Sequence, residues 1–427
     1  MTVVRALSLA PDPIALARSL AGRPGLAVLA SRPAAAPRPD DARYSFVACD
    51  PVDASDDLIP PVGEGAGDAA PLWIGVIPYE GLRAIERPGW TRDPDTRPAC
   101  AIARPAWRRY GAVVRIDHTT GRVDVVGDDE RSVRDLGARV SARGSNGPER
   151  FALRVLPADE PDEAHLERVR EALRLIAAGD LYEVNLARRI PVAFQGDALA
   201  LFTSLLDAAP APWGFFQDLG ETHAIATSPE LALSVRGEVL RTCPIKGTRP
   251  RGQAADEDAR LAGELDADPK ERAELTMAID VHRNDLGRVA VPGSVRVLGE
   301  PRVLGGRTVW SRVAEVVATR APGVTLEDIA RAVLPCGSVT GAPKVRAMEV
   351  IARLEPWRRG LYTGAFGYLG RGGQLQLAMA IRTLQLSRAA GGGDYFAGGG
   401  IVADSIPERE LAETRWKASQ LELLAGS

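Results

Sequence analysis

Lysine is nearly absent from this chain of 427 residues: it occurs only as Lys246, Lys270, Lys344 and Lys417, so 49 of the 53 basic residues are arginine. Cysteine is equally sparse. Cys49, Cys100, Cys243 and Cys336 are far apart and form no CxxC pair, which excludes a zinc ribbon or a thioredoxin-type centre and argues against a disulfide scaffold. The four histidines (His118, His165, His223, His282) are isolated, with no HExxH and no evident Ser-His-Asp constellation. There is no basic excess either. The 53 basic and 56 acidic residues leave a formal charge of -3, which speaks against a protein that wraps nucleic acid. No uncharged apolar run approaches the roughly 18 residues of a membrane helix, and Pro11-Asp12-Pro13 interrupts any secretory apolar core. The expectation is a soluble, cytoplasmic protein with neither membrane nor nucleic acid as partner.

What is present is ordinary globular composition, 45% apolar and 26% charged, in a length that accommodates one large domain or two to three smaller ones. A chain that fills its generic cation positions with arginine keeps lysine where guanidinium cannot serve: as a compact ammonium, or as an amine that can lose its proton. Lys246 and Lys417 are the functional candidates on this ground, Lys344 is open, and Lys270 reads as a surface residue. Cys243 and Cys336 read as small buried fillers.

Residues 1–150 read as short strands between turn-rich loops, for example Gly25–Leu29, Tyr44–Ala48 and Ala112–Ile116, and 127–150 as a connection or weak helix. From about 160 the signals sharpen. Residues 162–178 form an amphipathic helix, with Leu166, Val169, Leu173 and Ile176 on one stripe and Gly179 as its stop. A strand follows over Leu181–Pro191, with Tyr182, Val184 and Leu186 on one face; further strands are expected at Ala224–Thr227, Leu231–Val235 and Val295–Leu298. Three later helices open at Pro269, Pro343 and Pro407, where a missing N–H costs nothing. Strands and helices mixed without regular βαβ alternation point to an α+β fold, a two-sheet sandwich of antiparallel strands with flanking helices.

Two of those helices carry paired carboxylates. Asp268 caps the first, and Glu271 and Glu274, three apart, project from one face; Glu410 and Glu413 repeat the spacing after Pro407, with Lys417 one turn beyond. Either pair alone is explained by the helix dipole, and Glu413–Lys417 by an ordinary i,i+4 ion pair. Two pairs at the same place after a proline point to a shared hard cation, and magnesium suits oxygen ligands. Gly337–Lys344 leads into a helix but is no P-loop, since the spacing before Lys344 is wrong and Pro343 removes a donor; it is either an anion-binding helix start or a plain turn. Gly398-Gly399-Gly400 runs into the second carboxylate helix and allows close backbone approach to a ligand. Tyr362–Tyr368 and Ala380–Thr383 read as neighbouring strands, and Arg382, in an apolar strand, needs a partner such as a ligand carboxylate.

Taken together, Pro244–Gly252 (PIKGTRPRG), the Glu271/Glu274 helix, Arg283–Arg288 (RNDLGR), Gly337–Lys344 and Gly398–Lys417 resemble the chorismate-utilising enzymes. That family includes anthranilate synthase component I, aminodeoxychorismate synthase component I, and isochorismate and salicylate synthases. The resemblance covers about 160–424 as a chorismate-binding catalytic region and only loosely 1–150, around Arg43-Tyr44-Ser45. It implies a single compact chorismate-binding fold and magnesium-dependent chemistry on chorismate. By motif match it implies Glu274 and Glu413 as metal ligands, with Glu271 and Glu410 behind them or acting through water. Tyr362, Arg382 and the backbone at Gly398 and Gly400 would clamp the enolpyruvyl carboxylate, Gly247 and Thr248 would line the ring, and Lys417 would bind substrate.

Within the family, position 246 discriminates. Similar anthranilate synthases carry alanine there, whereas a lysine resembles aminodeoxychorismate synthase, in which the amine is thought to add to the ring beside the carboxylate and expel the ring hydroxyl. Glu230 matches the carboxyl group that serves the departing hydroxyl as general acid or base. The isochorismate and salicylate branches use a lysine base in the strand after the amphipathic helix, and Glu183 stands there. Ser311 occupies a position where many relatives have histidine, and Trp416 one where asparagine is common. The implied activity is therefore an aminodeoxychorismate synthase, with anthranilate synthase as the alternative and a noncatalytic chorismate-binding relative as the second. No cysteine has the glycine context of a glutaminase nucleophile, so a separate glutamine amidotransferase subunit is the expected source of ammonia.

Overall fold

In the computed structural model, residues 2–62, 70–86, 95–142, 150–306 and 309–425 are described. Among these residues the strands form one twelve-stranded sheet, one nine-stranded sheet and a small three-stranded sheet, all with antiparallel neighbours. In the largest sheet, Val3–Leu7, Arg122–Gly127, Ala112–Asp117, Tyr44–Ala48 and Ala27–Ser31 lead to Trp213–Asp218, Thr222–Ser228, Thr383–Ser387, Gly392–Ile401 and Glu183–Gly196. The second sheet centres on Leu231–Arg236, Leu375–Met379, Ala365–Gly370 and Pro71–Ile77. Both large sheets thus take strands from either side of the 127–150 stretch.

The two sheets bury one face against each other. Phe46, Phe215 and Ala226 from the first sheet meet Ile74, Phe366 and Ala378 from the second in one cluster, with the Phe215 and Phe366 rings 4.8 Å apart. Helices cover the outer faces. Glu130–Ser141, Ala198–Ala208 and Pro407–Ala425 cover the first, and Pro269–Gly287 with Leu326–Val333 the second. The α+β sandwich with flanking helices expected from the patterning is the observed architecture. No helix of the described residues is long and apolar enough to cross a membrane.

Local expectations hold where the periodicity was strong. The amphipathic helix runs Asp162–Ala177, the helix at Pro269 is capped by the Asp268 side chain, and the 127–150 stretch contains a regular helix, Glu130–Ser141, capped by Asp129. Other details differ. The strand expected from Leu181 runs Glu183–Gly196, and Tyr182 precedes it at 72% exposure instead of sharing the buried face of Val184 and Leu186. Val295–Leu298 shrinks to Arg296–Val297. Arg382 is not in a strand: it lies between Leu375–Met379 and Thr383–Ser387 with a left-handed φ of 50°, as the chain passes from one large sheet to the other.

Candidate active site

A cleft of about 530 Å³ opens where the edge of the largest sheet meets the helices Pro269–Gly287 and Pro407–Ala425. The small sheet of Ile245–Pro250, Val309–Val313 and Arg302–Gly305 forms one wall. Of the candidate residues named from the sequence, Glu230, Lys246, Gly247, Thr248, Glu271, Glu274, Tyr362, Arg382, Gly398, Gly400, Glu410, Glu413 and Lys417 line it, and Lys344 does not.

The Lys246 side chain is 10% exposed and ion-paired to Glu183, itself 3% exposed. Burial works against the ammonium, but the surrounding carboxylates, Glu183 first and then Glu274 and Glu230, outweigh it and hold the amine above its usual range. Glu230 has the opposite environment. It is 3% exposed, and burial pushes its carboxyl from 4.5 up to about 7, although the Ser338 hydroxyl donates to it at 2.7 Å. A buried amine and a buried carboxyl raised to about 7 thus line one cleft.

Both carboxylate pairs line the cleft. Arg249 takes up Glu271 at 3.1 Å and the capping Asp268 at 2.8 Å, which leaves Glu274 with Lys270, at 3.6 Å, as its ion-pair partner among the described residues. Burial, with repulsion from Glu183 and Glu271, pushes Glu274 up to about 7; burial likewise raises Glu410, beside Glu413. A Cβ at position 399 would lie 3.2 Å from the Glu410 carboxylate and 3.8 Å from that of Glu413, so the glycine lets this helix close onto the strand. Among the described residues no three His, Cys, Asp or Glu side chains converge enough to hold an ion unaided. The donor set nevertheless fits a hard divalent cation: carboxylate oxygens from two helices, with room for waters or ligand oxygens to complete a shell.

The cleft also holds groups suited to an anion. Arg382 is half-buried, and its guanidinium makes no hydrogen bond or ion pair with any described residue. Burial depresses it, as expected of a cation lacking a counter-charge. Tyr362 is buried and stacks on Phe396 at 5.4 Å. A Cβ at position 398 would fall 2.8 Å from the Tyr362 hydroxyl and 2.9 Å from Asn185 Oδ1, so only glycine fits. Lys417 lines the cleft but is engaged, 2.6 Å from Glu413 and donating to the Gly398 carbonyl at 2.8 Å.

The remaining lysines and the cysteines have distinct surroundings. Lys344 is no anion ligand: it is buried, 2.6 Å from Asp285, and donates to the carbonyls of Ala332 and Val333. Lys270, read as a surface residue, stands in the cleft wall although its side chain is 46% exposed. Cys243 and Cys336 are buried, in keeping with filler roles. Ser311 and Trp416 both line the cleft. Sequence reasoning missed Ser338, and it missed Asn185, whose buried Oδ1 has no hydrogen-bond partner among the described residues. It noted Glu183 only as a place without lysine. The signal available was a carboxylate followed by an amide, two apart on the polar face of an otherwise apolar strand.

The chain matches the chorismate binding enzyme family over residues 38–422. Anthranilate synthase component 1 of Thermus thermophilus is 46% identical over 264 residues, covering 62% of this chain and 57% of that relative. Aminodeoxychorismate synthase component 1 of Bacillus subtilis is 40% identical over 259 residues, covering 60% and 54%. The chain therefore spans a little over half the length of these curated relatives. The crystal structure of anthranilate synthase component I from Streptococcus pneumoniae superposes with a TM-score of 0.75 at 28% identity, over 89% of this chain and 92% of that one.

Proposed function

Because the chain belongs to the chorismate binding enzyme family, we propose that it is an aminodeoxychorismate synthase component I, converting chorismate and ammonia to 4-amino-4-deoxychorismate with magnesium. The observation that carries this reading is the Lys246 amine in the same cleft as the buried carboxyl of Glu230, which burial raises to about 7. The Lys246 amine, once free of its proton, adds to the ring carbon beside the substrate carboxylate. The ring double bonds shift, the bond to the ring hydroxyl breaks, and the Glu230 proton leaves with it as water. Ammonia then bonds to the vacated carbon while the bond to Lys246 breaks, returning the amine. Excess positive charge passes as a proton back to Glu230. Arginine could not replace Lys246, because guanidinium stays protonated.

Magnesium, held by Glu274 and Glu413 with Glu271 and Glu410 in support, would neutralise the ring carboxylate. Arg382, Tyr362 and the Gly398 and Gly400 backbone would orient the enolpyruvyl carboxylate at the other end. A glutamine amidotransferase subunit is the proposed source of ammonia, and the 4-amino product would serve 4-aminobenzoate and folate synthesis.

The test is product identification from chorismate, magnesium and ammonium, with wild type and Lys246→Ala compared. The 4-amino product, lost in the variant, is expected. Anthranilate as the product would overturn the reading in favour of anthranilate synthase component I, which the 46% identity to the Thermus enzyme favours as the second reading.

A further inference from the structure

Lys246 is stored in this cleft as an ammonium, which has no lone pair to offer, so an amine nucleophile requires a base. The titratable groups that interact with it are Glu183 on the strand Glu183–Gly196, Glu274 with the buried, neutral His282 on the helix Pro269–Gly287, Glu230, and Glu413 on the last helix. Among the described residues only Glu183 pairs with the amine. The Glu230 carboxyl takes its hydrogen bond from Ser338 and is the proton donor of the scheme, so it is already occupied. The two helical carboxylates belong to the proposed cation site.

The placement of Glu183 is also enforced. Its backbone pairs with Ala342, and the next residue, Val184, pairs with Gly341 on one side and Ile401 on the other, so the strand is fixed from both edges. Gly400 leaves the space the pair occupies: a Cβ there would lie 3.3 Å from the Lys246 amine and would collide with the Glu183 carboxylate. A carboxylate fixed this closely against a single amine, at 3% exposure, has one natural proton partner.

We propose that Glu183 is the proton acceptor that frees the Lys246 amine for attack and returns the proton when the amine is released. This rests on the reading of Lys246 as the nucleophile. In the first step a proton passes from the Lys246 ammonium to the Glu183 carboxylate. The resulting amine forms the carbon–nitrogen bond as the ring hydroxyl departs with the Glu230 proton, leaving a secondary ammonium. When ammonia displaces it, Lys246 leaves as a neutral amine and takes its proton back from Glu183. The product ammonium restores the proton of Glu230, and the sum is chorismate plus ammonia giving the amino product plus water.

The test compares wild type with Glu183→Gln, Glu183→Asp and Glu183→Ala, using chorismate, magnesium and ammonium. Glutamine keeps the shape and a hydrogen bond but cannot accept the proton. Its kcat for amination should fall by about 100-fold or more while KM for chorismate stays within about threefold. Aspartate should retain more activity than glutamine. In Glu183→Ala, sodium formate should restore part of the lost rate, and sodium chloride at equal ionic strength should not. Undiminished kcat in Glu183→Gln, or a loss of rate that formate leaves unchanged and that appears only as raised KM, would overturn the proposal. Failure of the underlying reading looks different: wild type would then give a product other than the 4-amino compound, or Lys246→Ala would remain active.

Discussion

Replacing Glu230 by glutamine should stabilise the protein while abolishing its chemistry, and the stabilisation should depend on pH in one direction only. Burial raises this carboxyl from 4.5 to about 7 in the folded chain. A raised carboxyl pKa means that the folded state binds a proton which the unfolded state has released, so stability falls as pH rises through that window. Below about pH 4.5 both states are protonated and the penalty is absent. It grows to about pH 7 and is constant above, reaching about 3 kcal/mol at 1.36 kcal/mol per pH unit. Glutamine has no such penalty. It can, however, accept on only one oxygen, whereas the carboxyl accepts from Ser338 at 2.7 Å and from the Ile245 N–H, so part of the gain is offset. The shape of the curve therefore carries the test. In thermal or urea unfolding of wild type and Glu230→Gln from pH 4 to 9, the variant's relative stability should climb between about 4.5 and 7 and then level off. A difference that is flat with pH, or that falls over this interval, would refute the assignment of Glu230 as a buried, proton-bearing acid.

Arg382→Gln should raise the dissociation constant for chorismate about 10- to 100-fold, the loss of a charge-assisted contact, while leaving thermal stability equal or higher because the guanidinium has no partner among the described residues; isothermal titration with magnesium present measures both affinity and any compensation. Unchanged affinity would remove Arg382 from the anion site. Glu413→Gln should shift the magnesium half-saturation of turnover upward by about tenfold or more, and an unaltered titration would dissociate Glu413 from the cation. Lys344→Met, by contrast, should lower stability by about 3–5 kcal/mol, since it strands the buried Asp285 carboxylate, with KM for chorismate unchanged in the folded fraction. A raised KM at normal stability would return Lys344 to the site.

The scarcity of lysine was the most productive sequence observation, and its two outcomes differ for a physical reason. Arginine cannot be deprotonated, nor can its wide fork fit a small buried niche. The first property singles out Lys246, and the second is enough to retain Lys344 beside Asp285, where only a compact ammonium reaches two carbonyls and a carboxylate together. Composition sees the two cases as identical. Only the surroundings separate a lysine in a cleft from one under a helix.

Local grammar determined much else. The proline after Asp268 and the proline at 407 start helices whose carboxylates fall three apart on one face, and this follows from 3.6 residues per turn without any tertiary information. Alternating apolar strands fixed the sandwich class in the same way. What required the fold was everything set by chain segments far apart in sequence. The contact between Lys246 and Glu183 joins residues 63 apart, and that between Glu230 and Ser338 residues 108 apart. No periodicity encodes which wall of a cleft receives which side chain, because pairing across a sheet depends on strand order, and strand order is chosen by the packing of the whole core. The sequence by itself specified the chemical inventory and the local elements that carry it; the tertiary structure alone decided that one lysine meets its base, that one arginine is left without a counter-charge, and that two acidic helices turn toward the same space.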